Sequence, residues 1–186
     1  LGDTARYSID RIAADLIALV EHEVGAPVDL LGHSMGGAVS LRVTLQRPDL
    51  VRSLILMDTS GWSFRPLDAD VAALMSAFMA TYDPAGGLPD YRDPANPEDP
   101  LIAAATTPEW QVVKDEMAAA FDPYAFTALG AELFDPVAAS VRARLGEIAC
   151  PTTVTVGEHD HPFVDQAEAL AAEVQDGMVV VIPGAY

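Results

Sequence analysis

The chain has 186 residues, which fits one domain of ordinary size or one domain with an insertion. Apolar residues make up 51% and charged residues 20%, which excludes a disordered chain. The 28 acidic against 10 basic residues leave a net charge of −18, which argues against nucleic acid or an anionic membrane as a partner.

The first sixty residues alternate helix and strand. Ser8 is typical of a helix N-cap. It precedes apolar residues at helical spacing, namely Ile9, Ile12, Leu16 and Leu19. Strands are predicted over 28–31 and 51–57, with a helix over 38–46 between them. This order favours parallel βαβ units in an α/β sheet.

Between residues 61 and 149 the pattern becomes helical, with helices predicted over 68–81, 108–121 and 136–147 and a proline-rich loop over 82–100. The strand pattern resumes over 152–156 and 178–182, with a helix over 164–175 between them. We therefore expect an α/β core made of residues 1–60 and 150–186, interrupted by an all-helical insertion over 61–149.

A G-x-S-x-G motif covers residues 32–36, with a predicted strand before it and a helix after it. This context is typical of a nucleophile elbow, in which a sharp turn projects the serine hydroxyl, here that of Ser34. Gly32 and Gly36, with Gly37 extending the clearance, are expected to let the turn close. The backbone N–H of Met35 would be one donor of an oxyanion hole.

A serine nucleophile needs a base, and the base needs an orienting acid placed just after a later strand. Asp160 meets this requirement, in the turn-rich loop after the strand over 152–156. Asp58 is the rival, because it also directly follows a strand.

These features resemble the α/β-hydrolase fold family, in its serine-nucleophile members with a helical cap. The elbow at 32–37, the acid loop at 157–160 and the segment 182–185 carry the resemblance. It implies a mostly parallel sheet with flanking helices, the insertion acting as the cap, and acyl transfer to Ser34 with Asp160 orienting a histidine. Serine at position 34 disfavours the relatives that use an aspartate nucleophile.

The chain departs from the family pattern at both ends. None of its four histidines follows the last predicted strand, so the base would fall at position 187 or beyond. The family's first strands, with the loop that supplies the second oxyanion donor, are also absent. We therefore expect a fragment that is inert toward esters on its own and whose strand over 28–31 forms an open edge.

For the parent protein, a carboxylic ester or lactone is the expected small-molecule substrate. Hydrolysis of a carbon–carbon bond, cofactor-free haloperoxidase or perhydrolase chemistry, and a non-catalytic binding module are the alternatives. Trp62, Phe64 and Phe78 would line the substrate pocket, or else pack the cap against the core. The resemblance implies no cofactor and no metal, and the single cysteine, Cys150, favours a cytoplasmic protein.

Overall fold

The computed structural model describes residues 4–62, 108–134, 140–161 and 163–185. Its sheet has four parallel strands in the order β1-β2-β3-β4. The strands are β1 (Val28–His33), β2 (Val51–Met57), β3 (Thr152–Gly157) and β4 (Gly177–Ile182). The predicted α/β class and the four predicted strands are confirmed.

Five α-helices accompany the sheet in the described residues: α1 (Ile9–Leu19), α2 (Met35–Gln46), α3 (Pro108–Ala120), α4 (Pro123–Phe134) and α5 (Phe163–Glu173). Short 3-10 helices cover Thr4–Arg6, Pro48–Leu50 and Arg142–Glu147, and α1 continues into a π-helix over Val20–Val24. None of the described helices is long and apolar enough to cross a bilayer.

Helix α1 begins and ends at the residues that the sequence indicated. Ser8 has extended backbone, and its hydroxyl accepts the N–H of Arg11 at 3.1 Å, so the predicted N-cap is confirmed. The π-helix closes at Gly25, whose φ of 64° lies in the left-handed region. Because β1 follows directly, α1 runs back along the sheet, and its N-terminus lies near the carboxyl ends of the strands.

The core is built around the two central strands and α2. Residues 37–45 of α2 are all buried, and the helix packs against α1, β1 and β2. Leu54 and Leu56 of β2 and Val154 and Val156 of β3 are at most 1% exposed. Helix α5 packs against β3 and β4 and contributes Leu170 to the same core cluster. This packing fixes the strand ends, where the candidate catalytic residues lie.

The described part of the insertion differs from its predicted helices. Helix α3 is confirmed, α4 was not predicted, and the described part of the helix predicted over 136–147 contains a 3-10 helix at Arg142–Glu147. Leu145 and Ile148 point into the core, at 0% and 2% exposure. The predicted helix over 68–81 and loop over 82–100 lie outside the described residues.

The two ends of the insertion meet at its base, where the N–H of Val141 donates to the carbonyl of Gly61 at 2.9 Å. The division into 1–60, 61–149 and 150–186 stays a prediction, although residues 142–148 pack with the α/β core.

Candidate active site

Ser34 lies at the turn from β1 into α2. Its φ of 51° and ψ of −121° are rare for any residue with a side chain, and such strain costs on the order of 1–3 kcal/mol. The residue is exposed, and its hydroxyl does not cap the helix that it precedes. The turn therefore presents the Ser34 hydroxyl at the carboxyl edge of the sheet, the geometry that a nucleophile elbow requires.

The strained backbone of Ser34 is held by three hydrogen bonds. Its N–H donates to Met57 O at 3.0 Å, and its carbonyl accepts the N–H of Gly37 at 2.9 Å. The hydroxyl of Thr59, a buried residue, donates to the same carbonyl at 2.7 Å. The sequence did not lead us to expect a role for Thr59. Its position just after the end of β2, at the same edge of the sheet as Ser34, is the signal that could have indicated one.

The glycines around Ser34 differ in what they accommodate. A Cβ on Gly32 would lie 2.4 Å from Gly36 O and 2.5 Å from Ser40 Oγ, and a Cβ on Gly37 would lie 2.4 Å from the Thr59 side chain. A Cβ on Gly36 would meet no atom of the described residues within 4 Å. The expected clearance role is therefore seen at Gly32 and Gly37, whereas at Gly36 the described residues leave room for a side chain.

Met35 is the first residue of α2. N–H groups in the first turn of a helix have no acceptor within the helix, and the helix dipole makes this end positive. The Met35 N–H thus has the placement of an oxyanion donor beside Ser34, and its role stays a prediction.

The two candidate acids are brought together. Asp58 follows β2 with a φ of 44°, and its Oδ1 accepts the N–H of Gly157, the last residue of β3, at 3.1 Å. Asp160 lies on the loop after β3, and its N–H donates to the carbonyl of the same Gly157 at 3.2 Å. Sequence reasoning treated these residues as alternatives, whereas the fold places both at the same edge.

The surroundings of Asp160 favour its neutral form. Burial and the neighbouring Asp58 carboxylate raise the pKa of Asp160 to about 6, with burial the largest cause. His33 and His161 act in the opposite direction. A pKa this far above the usual range marks Asp160 as a candidate functional carboxyl.

The chain's histidines differ in their distance from this edge of the sheet. His33 Nε2 lies 4.0 Å from Asp58 Oδ2, with the imidazole 63% exposed. His161 Nδ1 lies 3.6 Å from Asp165 Oδ2, and His22 is exposed in the π-helix. No group of three histidine, cysteine or acidic side chains in the described ranges is arranged to hold a metal ion.

The segment after β4 runs beside the acid loop. His159 N–H donates to Ala185 O at 2.8 Å, and the N–H of Gly184 donates to the carboxylate of Glu158 at 2.8 Å. Residues 183–185 are thereby placed next to the loop that carries Asp160.

A family model described as the alpha/beta hydrolase family matches residues 1–186. The chain belongs to this family. Lipase LipV of Mycobacterium tuberculosis is 36% identical over 92 residues, which are 49% of this chain and 31% of LipV. The proposed carbamate hydrolase RutD of Variovorax paradoxus is 32% identical over 157 residues, 84% of this chain and 57% of RutD. The chain thus spans 31% of the length of LipV and 57% of the length of RutD.

A solved structure shows the same fold. Est816, described as an N-acyl homoserine lactone degrading enzyme, superposes with a TM-score of 0.67 at 20% identity, covering 100% of this chain and 70% of Est816. At this identity the likeness concerns the fold alone.

Of the three predicted pocket residues of this α/β-hydrolase family member, Trp62 alone lies in the described part of the chain. Trp62 is half-buried against the core, with the Arg142 guanidinium 4.2 Å from its ring centroid. Phe64 and Phe78 lie outside the described residues, so the pocket that all three were expected to line stays a prediction.

Proposed function

We propose that the whole protein is a serine hydrolase that cleaves a carboxylic ester or lactone through an acyl-enzyme on Ser34. The observation that carries this proposal is the strained, exposed serine turn between β1 and α2. The strain at Ser34 serves to present a nucleophile, because a strand that turned directly into a helix without function would not need it. The family membership and the relative named as a lipase support ester substrates.

In the proposed mechanism, Ser34 Oγ attacks the substrate carbonyl while a histidine takes its proton. The Met35 N–H stabilises the oxyanion at the positive end of α2. Asp160 orients the histidine and stabilises the imidazolium. The imidazolium then protonates the leaving alcohol, and water, activated by the same histidine, releases the acid.

The histidine is proposed to lie beyond residue 186, in the segment that continues past Ala185. Backbone hydrogen bonds hold residues 183–185 against the acid loop, which supports this placement. The second oxyanion donor is likewise assigned to residues outside this chain. No cofactor enters the proposal, and the substrate is a small molecule.

The test is labelling of the full-length protein with a fluorophosphonate probe, which reacts with activated serines. We expect rapid labelling that is lost in Ser34→Ala and kept in Ser140→Ala, a control at an exposed serine. A panel of p-nitrophenyl esters, lactones and carbamates would then rank the substrates. Labelling that persists in Ser34→Ala would refute the proposed nucleophile, and no labelling at all would favour a non-catalytic binding module.

A further inference from the structure

Thr59 lies between the end of β2 and the first turn of α2. The residue is buried, with 4% of its surface exposed, and its hydroxyl donates to Ser34 O at 2.7 Å. A carbonyl oxygen can only accept, so the direction of this hydrogen bond is fixed. A Cβ added to Gly37 would lie 2.4 Å from both Thr59 Cγ2 and Thr59 Oγ1. The glycine at position 37 therefore leaves the space in which the Thr59 side chain packs against the elbow.

The chain after β2 holds the backbone of Ser34 from both sides. Met57 O accepts the Ser34 N–H at 3.0 Å, and two residues later the Thr59 hydroxyl reaches the Ser34 carbonyl. Between them Asp58 has a φ of 44°, which takes the chain out of the extended conformation of the strand. Hydrogen bonds to β3 from the N–H and the side chain of Asp58 hold this bend, and the bend places Thr59 beside Ser34.

The oxygen that Thr59 contacts belongs to the same peptide unit as the proposed oxyanion donor. The Ser34 carbonyl and the Met35 N–H flank one peptide bond, which is planar and trans, so the two groups point in opposite directions. The Thr59 hydroxyl and the N–H of Gly37, at 2.9 Å, both donate to Ser34 O. Because these two donors fix the carbonyl, they also fix the direction of the Met35 N–H. Among the described residues, no backbone carbonyl outside α2 accepts that N–H, as a group that binds an oxyanion requires.

We propose that Thr59 is a positioning residue of the oxyanion site, which holds the peptide between Ser34 and Met35 so that the Met35 N–H faces the carbonyl oxygen of the substrate. This inference rests on the proposed function, in which that N–H stabilises the oxyanion formed when Ser34 attacks. The Thr59 hydroxyl acts in two ways. It restrains the plane of the peptide, and by donating to the carbonyl it polarises the peptide, which makes the N–H a stronger donor.

A purely structural role for Thr59 makes a different prediction. A hydrogen bond that only stabilises the fold lowers the free energy of unfolding when it is lost, and turnover by the folded protein stays the same. A group that orients an oxyanion donor acts on the transition state more than on the bound substrate. Its loss therefore lowers kcat and kcat/KM together and leaves KM almost unchanged.

Thr152 provides a matched control for a substitution at Thr59. It is 2% exposed, and its hydroxyl likewise donates to a backbone carbonyl, that of Cys150, at 3.0 Å. Because Thr152 begins β3, it lies at the opposite end of the parallel sheet from Ser34. Replacing either threonine by valine, which has nearly the same shape, removes one buried hydroxyl.

The experiment measures steady-state hydrolysis of p-nitrophenyl acetate by the full-length wild type and by Thr59→Val, Thr59→Ser and Thr152→Val. We expect kcat to fall about tenfold in Thr59→Val with KM little changed. This loss is smaller than the roughly 10²–10³ that deletion of an oxyanion donor costs, because the Gly37 N–H still holds the peptide. Thr59→Ser, which keeps the hydroxyl, should recover most of the rate, and Thr152→Val should turn over like the wild type. Urea denaturation should show similar losses of stability in the two valine variants.

A second readout is the nitrogen-15 chemical shift of the Met35 amide in the substrate-free protein, which responds to hydrogen bonding at the carbonyl of the same peptide. It should move in Thr59→Val and stay in place in Thr152→Val. An unmoved Met35 resonance, wild-type turnover in Thr59→Val, or a Thr59→Ser variant as slow as Thr59→Val would each overturn the proposal. Thr59→Ala gives the same test if Thr59→Val does not fold. Absence of Ser34-dependent turnover in the wild type would instead overturn the proposed function, while the Met35 resonance still decides whether Thr59 acts on this peptide.

Discussion

Ser34 and Asp58 are the two residues other than glycine with positive φ in the described part of the chain. They follow the ends of adjacent strands, where His33 of β1 pairs in register with Met57 of β2. Backbone strain is stored at functional sites when surrounding contacts hold it in place. Here Met57, Thr59, Thr155 and Gly157 supply the hydrogen bonds that do so.

The glycines of the elbow offer a matched pair of substitutions. We expect Gly37→Ala to lower the free energy of unfolding by about 1–3 kcal/mol, because its Cβ would collide with the Thr59 side chain 2.4 Å away. Gly36→Ala should be neutral or slightly stabilising, since its Cβ would touch none of the described residues and alanine favours the helix. Urea denaturation of both variants checks this, and equal effects would contradict the assigned roles.

The raised pKa of Asp160 carries a cost in stability. Because its pKa in the folded state, about 6, exceeds the usual value of 3.8, the folded state binds more protons between these values, and stability falls as pH rises through them. We expect Asp160→Asn, which cannot ionise, to melt at higher temperature than wild type at pH 8. The difference in melting temperature between Asp160→Asn and wild type should shrink as pH falls through 6 and be smallest below pH 4. Melting curves in which this difference does not change with pH would contradict the prediction.

The site residues were predictable to different degrees. The G-x-S-x-G motif around Ser34 lies between a predicted strand and a predicted helix, so the turn could be located from the sequence. The proximity of Asp58 to Asp160 could not, because it depends on the register of β2 against β3, in which Met57 pairs with Thr155. The hydrogen bond from the Thr59 hydroxyl to Ser34 O likewise depends on how the strands are arranged in the sheet.

At the scale of elements, the strands were predictable because each is a short apolar run bounded by turn residues. Helix α4 was missed, since its apolar residues form no single stripe. Asp122 followed by Pro123 is a helix-start signal that would have found it, because Asp122 Oδ1 accepts the N–H of Tyr124 at 2.9 Å. The 3-10 helix at Arg142–Glu147 follows from core packing of Leu145, which local spacing does not reveal.

Arg42 joins three helices. Its side chain is 6% exposed on α2; its Nε lies 2.9 Å from Asp10 Oδ1 of α1, and its Nη2 lies 4.0 Å from Glu132 Oε1 of α4. Glu132 Oε2 also accepts the N–H of Ile9 at 2.9 Å, at the start of α1. The buried guanidinium thus links the elbow helix to a helix of the insertion.

We expect Arg42→Ala to lower the free energy of unfolding by about 1.5–3 kcal/mol, because it removes charge-assisted hydrogen bonds from a buried position. The control is Arg52→Ala, which breaks an ion pair with Asp29 in which both side chains are at least half exposed. Exposed pairs contribute little, so this variant should unfold close to wild type. Chemical denaturation of the two variants tests this, and a larger loss in Arg52→Ala would contradict it.

At the scale of the whole molecule, the described sheet has β1 and β4 at its edges. Among the described residues β1 has no further strand at its outer edge, as expected, and Leu31 of β1 and Met178 of β4 are 53% and 57% exposed. The features that concern function collect at one end of the sheet: the serine turn, the acid pair, the start of α2 and the segment after β4.

The proposed function requires that Ser34 becomes acylated. Acylation is measured most directly by mass spectrometry of the full-length protein, quenched during turnover of p-nitrophenyl acetate. We expect a mass increase of one acetyl group, mapped by peptide analysis to Ser34 and absent in Ser34→Ala. An acetyl group mapped to another residue, or ester turnover that survives Ser34→Ala unchanged, would contradict it.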